Sequence, residues 1–111
     1  MFSTEAQAVY TFLQIKSVSS KQERMILVAI DTKVRSIKNN IHYGDPIAKK
    51  LIPQEYVVHY GITNLFRIEL PQFRRLLYTL IEGESTNEIV AFVLDIIDHT
   101  TYDKKCGYRS K

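Results

Sequence analysis

The stretch "DHTTYDKKCGY", Asp98 to Tyr108, follows directly on the most hydrophobic run of the chain, "EIVAFVLDII". Within eleven residues it gathers carboxylate, imidazole, phenol and ammonium groups, a set that a surface turn does not require. Histidine suits proton transfer because its charge changes near neutral pH. Tyrosines can stack on bases, and lysines attract phosphate. Upstream, "LFRIELPQFRRLLY" adds Arg67, Glu69, Arg74 and Arg75. A guanidinium is a planar fork that can donate two hydrogen bonds to phosphate oxygens. A site handling RNA could use the combination. Each residue also has an ordinary use: charges on an alternating strand pair with neighbours, tyrosines cover a core, and Asp98 at a strand end accepts turn hydrogen bonds.

Composition limits the alternatives. A chain of 111 residues supports one modest core, hence one domain. Its longest uncharged apolar run, Ile89 to Leu94, falls far short of the roughly 18 residues of a membrane span. "MFSTEAQAVY" lacks the basic and apolar regions of a secretory signal, so the expected location is cytoplasmic. Cys106 is the single cysteine, which rules out an internal disulfide and a cysteine-based zinc site. His42 and His59 lack ligand spacing, so neither a metal nor any other cofactor is expected. Net charge is +3, and Lys104, Lys105, Arg109 and Lys111 against Asp103 place that whole excess in the last nine residues, 103–111. Such a basic tail favours phosphates when it is not simply solvated.

The elements that must position these residues are legible from periodicity. Thr4 with Gln7 has capping-box spacing ahead of an apolar helical series, predicting a helix from about Thr4 to Lys16. Ser20 with Glu23 opens a second helix, in which Ile26, Ile30, Val34, Ile37 and Ile41 form one stripe, lasting to about Asn39. The outer side should carry Lys21, Arg24, Asp31 and Arg35. Residues 40–63 connect, with a short helix in "PQEYVVHY" between Pro53 and a stop at Gly61. From Leu65 the period becomes two. "LFRIEL" places Phe66, Ile68 and Leu70 on one face and Arg67 and Glu69 on the other. "FRRLLYTLI" and "EIVAFVLDII" complete a three-stranded meander over about 64–98, its last strand apolar on both faces as a central strand would be, followed by the tail 99–111. The expected class is α+β, a helical hairpin on one face of an antiparallel sheet, with the other face concave and polar.

Taken together, "LFRIEL", "FRRLLYTL", "IVAFVLDIIDH" and the following tyrosine resemble the RelE/ParE superfamily of toxins from toxin-antitoxin pairs. The family's signature is an arginine in "YR-x-x-Y" on a central strand and a later strand ending near "H-x-x-x-x-Y". In "RRLLY", Arg75 matches the arginine and Tyr78 the tyrosine, while Arg74 stands where an aromatic is usual. The family commonly begins with a short strand, for which only "MFS" is present here, and its RelE branch carries lysines where this chain has Arg67 and Glu69.

The resemblance implies a ribosome-dependent endoribonuclease that cuts messenger RNA without metal and is restrained by a cognate antitoxin. The 2′-hydroxyl attacks the adjacent phosphate, which needs a base, a cation and an acid. Glu69, Arg75 and His99 would fill those roles in that order, with Tyr102 beside them and Arg67, Arg74, Lys104, Lys105, Tyr108 and Arg109 available to hold RNA. Two alternatives stand beside it: a ParE-like toxin that acts by protein contact, and an inactive homologue that keeps the fold.

One geometric condition follows. Glu69 and Arg75 share a face when Leu70 opposes Arg74 across a three-residue loop, Pro71 to Phe73. A loop of two or four residues separates them. Pro71 disfavours the two-residue form, because that turn needs positive φ at its first position.

Overall fold

The computed structural model describes residues 1–84 and 88–106. Among these residues the chain is α+β, in the order α1 (Thr4–Lys16), α2 (Lys21–Asn39), β1 (Asp45–Pro46), α3 (Gln54–Tyr60), β2 (Phe66–Leu70), β3 (Arg74–Glu82), β4 (Ile89–Asp98) and α4 (His99–Lys105), with a 3-10 turn at Lys49–Leu51. The two long helices come first and the antiparallel sheet follows, as the change of period predicts.

Ser3, not Thr4, caps α1: its hydroxyl accepts from the Ala6 amide at 3.0 Å and donates to the Leu94 carbonyl at 2.6 Å. Ser20 caps α2 as expected, accepting from the Glu23 amide and donating to the Glu23 carboxylate. The apolar stripe of α2 buries Ile26, Ile30 and Ile37. Asp31, expected on the outer side, instead accepts from the Tyr10 hydroxyl at 2.7 Å and ties α2 to α1. α3 ends at Gly61, whose φ of +66° is the left-handed conformation that suits glycine.

The sheet order is β1-β2-β3-β4, so β3 is flanked on both sides and β4 is not central. The two-residue β1, unforeseen in the sequence, pairs with Arg67 and Phe66 at the edge of β2. Beyond β4 the N-terminus makes a single parallel bridge, Phe2 to Val93, and no strand longer than that. The apolar character of β4 reflects covered faces and not neighbouring strands. One face of the sheet packs Phe66, Ile68, Leu76, Tyr78, Val93 and Ile96 against the helical hairpin. The opposite face, expected to be concave and polar, carries a second core in which Leu65, Leu77, Leu94 and Ile97 meet Tyr56 from α3 and Tyr102 from α4. A register shift between Leu77 and Tyr78 gives β4 an extra residue, Leu94. That bulge leaves the Leu94 carbonyl for Ser3.

Tyr78, the signature tyrosine of the resemblance, is fully buried. Its hydroxyl donates to the Ile41 carbonyl at 2.8 Å and accepts from the Gly44 amide at 2.9 Å, fastening the connecting segment to the sheet. A Cβ at Gly44 would lie 2.8 Å from the Tyr78 ring. The segment after β4 is a correction of a different kind: residues 99–105 are helix, not tail. Asp98 accepts from the Thr101 amide at 2.8 Å and caps that helix, the turn-bonding use foreseen for it.

Candidate active site

The loop from Pro71 to Phe73 satisfies the geometric condition: Leu70 opposes Arg74, and Glu69 opposes Arg75. Arg75 in turn opposes Ile97, so Glu69, Arg75 and Ile97 form one row across three strands. His99 lies just past the end of β4, as the first residue of α4, and from there its ring reaches the arginine. Its amide also donates to the Phe73 carbonyl at 2.7 Å, tying the start of α4 to the hairpin loop.

The centre of the cluster is one guanidinium nitrogen. Arg75 Nη2 lies 3.9 Å from the Glu69 carboxylate and 3.3 Å from His99 Nδ1. The Arg75 side chain is only 14% exposed, whereas Glu69 and His99 are 71% and 50% exposed. A cation is thus held beneath two groups that solvent reaches. Together with Leu70, Gln72 and Phe73 they line an open depression of about 590 Å³.

The histidine's other nitrogen meets a residue that the sequence offers only as a charge in the tail, with no site role. His99 Nε2 lies 3.3 Å from the Asp103 carboxylate, one helical turn along α4. Arginine only donates, so in this contact Nδ1 is the acceptor, and the Asp103 carboxylate lies at the opposite nitrogen, Nε2. Protonation of Nδ1 breaks the bond from Arg75 and leaves Asp103 as counter-charge. The helix signals for this pairing are present in the sequence, an Asp98 cap and Lys104 with Lys105 in the last turn, within the stretch 99–111 expected to be tail.

Arg67 and Tyr102 lie on the same face behind the cluster. Tyr102 is 7% exposed and accepts from Arg67 at 2.8 Å. The guanidinium groups of Arg67 and Arg75 lie 5.7 Å and 5.4 Å from its ring centroid, within cation–π range. Burial holds the Tyr102 hydroxyl above its ordinary pKa, against the pull of both arginines, so it stays protonated. Its ring serves the arginines and is not free for a base. Burial also raises the Cys106 thiol beneath α4.

The remaining sequence candidates disperse. Arg74, adjacent to Arg75 on the strand, points to the helical-hairpin face, in register with Leu70 and Asp98. Lys104 is exposed on α4. Lys105 turns to α3, where it pairs with Glu55 and lies 5.4 Å from the Tyr56 ring centroid. Tyr108 and Arg109 lie outside the described residues. No group of three or more His, Cys, Asp or Glu with metal-binding geometry occurs among the described residues, and no helix there is long and apolar enough to cross a membrane. Comparison with protein families, with curated proteins and with solved structures gives no match.

Proposed function

We propose that this chain is a RelE-like endoribonuclease that cuts ribosome-bound messenger RNA by attack of a ribose 2′-hydroxyl on the adjacent phosphate, and that a cognate antitoxin restrains it. The observation that carries the reading is Arg75 Nη2 with Glu69 on one side and His99 on the other, at the floor of an open depression. A phosphate entering there exchanges the two internal contacts of Arg75 for its own oxygens. Glu69 takes the proton of the 2′-hydroxyl as O2′ bonds to phosphorus. Arg75 neutralises charge growing on the phosphoryl oxygens. His99, protonated on Nδ1 and balanced by Asp103, gives its proton to the 5′ oxygen as the P–O5′ bond breaks. The products are a cyclic phosphate and a free 5′-hydroxyl.

Expression of the wild type, Arg75→Ala and His99→Ala, followed by mapping of RNA ends, tests this. Growth arrest with new 5′-hydroxyl ends, both lost in the two variants, is the expected result. A wild type that neither arrests growth nor cuts RNA removes the reading. The burial of Arg75 against Tyr102 favours a second reading, in which the arginine is scaffold and the protein acts by contact, as ParE-like toxins do. A growth defect that survives Arg75→Ala and is accompanied by DNA damage selects it.

A further inference from the structure

The hairpin loop between β2 and β3 carries two consecutive non-glycine residues in the left-handed region, Gln72 at φ +61° and Phe73 at φ +56°. Turns of this kind favour glycine or asparagine, because a Cβ crowds the following carbonyl there. Phenylalanine gains nothing in compensation from burial, since Phe73 is 79% exposed. A strained backbone that presents a large apolar ring to water has no use in folding, and such strain gathers at functional sites. Phe73 is among the residues that line the depression holding Glu69, Arg75 and His99. The Phe73 carbonyl accepts the His99 amide proton, so ring and imidazole are fixed to one short piece of backbone.

We propose that Phe73 is the stacking platform for a nucleobase of single-stranded RNA whose phosphate lies over Arg75. The inference rests on the ribonuclease reading for its ligand. A nucleotide presents an anionic phosphate and an apolar π-face a few ångströms apart, and this depression offers a cation and an exposed ring as neighbours. A phenyl ring carries no hydrogen-bonding group, so the stack tolerates any base and supplies affinity without a sequence code. Tyr102, one of the tyrosines of the stretch 98–108, is buried on the inner side of α4 against the arginines, which leaves Phe73, among the described residues, as the exposed aromatic side chain lining this depression.

The chain has no tryptophan, so Phe73→Trp creates a single fluorescent reporter. Two uncleavable 2′-O-methyl RNA oligonucleotides serve as probes, one with all its bases and one abasic at its centre. The intact oligonucleotide is expected to quench the tryptophan and to bind about tenfold more tightly than the abasic one. Phe73→Tyr should bind it as the wild type does. Phe73→Gly should bind about tenfold more weakly, with a thermal midpoint at or above the wild type because the strain is gone. Equal affinity for both oligonucleotides, wild-type affinity in Phe73→Gly, or no binding by any form overturns the proposal. A Phe73→Gly defect confined to binding of a protein partner also overturns it. Cleavage of ribosome-bound RNA by the wild type is scored separately: its absence removes the ribonuclease reading, while the oligonucleotide titrations still decide the stacking.

Discussion

At the scale of single residues, the central fact is a histidine shared between a cation and a carboxylate. Arg75 and Asp103 lie at opposite nitrogens of His99, an arrangement that orients the ring. If His99 is the general acid, His99→Gln lowers cleavage by about 10²–10⁴-fold, the usual range for losing such a group, as single-turnover cleavage rates would record. Asp103→Asn should keep the fold yet mix the tautomers of His99, visible in its imidazole ¹⁵N shifts, and should lower cleavage at least about tenfold. Unchanged ¹⁵N shifts in Asp103→Asn would dismiss the orienting role. Glu69, Arg75 and His99 were legible in the sequence through residue chemistry and resemblance. Asp103 was not, because its place near His99 depends on a helical turn that was read as tail. The strain at Phe73 was equally invisible, since its residue type argues against the backbone conformation it adopts.

At the scale of elements, Pro71 narrowed the hairpin without fixing it: it disfavours a two-residue turn, and the three-residue loop seen in the structure, not a four-residue one, places Glu69 opposite Arg75. α4 is the counterexample, a seven-residue helix whose apolar contacts, Tyr102 and Cys106, are too few to show a period. Its N-terminus depends on Asp98, whose carboxyl is held below the ordinary range chiefly by the Thr101 amide. A lowered folded pKa means that the cap acts fully above the unfolded pKa and is lost as pH falls through the folded one. The protection of α4 amides relative to their intrinsic exchange rates should therefore fall in acid, below the ordinary aspartate range, and Asp98→Asn should remove that contribution to the pH dependence. The start of the connecting segment is fastened by one hydroxyl, and β1 and α3 hold the rest. Tyr78→Phe leaves the Ile41 carbonyl and the Gly44 amide without their partner and should cost about 1–3 kcal/mol in chemical denaturation. A loss within experimental error would show that the segment is held by other means.

At the scale of the molecule, β3 divides two cores, and adjacent leucines report on each. Leu76 faces the helical hairpin, Leu77 faces α3 and α4, and both are completely buried. Each truncation to alanine should cost about 2–5 kcal/mol by denaturant unfolding. An open second face would have made Leu77→Ala cheap. The α+β class and the helix-then-sheet order were readable because long helices and alternating strands announce their periods. The second core was not, because it is built from residues scattered over α3, α4 and the bulge at Leu94. That second core sets the site: it buries Arg75 against Tyr102 and packs α4 beside the sheet, so that residues distant in sequence converge on one open depression. The direct test is end-group analysis of messenger RNA after incubation with translating ribosomes and purified protein. The account predicts 2′,3′-cyclic phosphate and 5′-hydroxyl ends from the wild type and a loss of about 10²–10³-fold with Arg75→Ala. Intact messenger RNA with the wild type, or cleavage undiminished in Arg75→Ala, would contradict it.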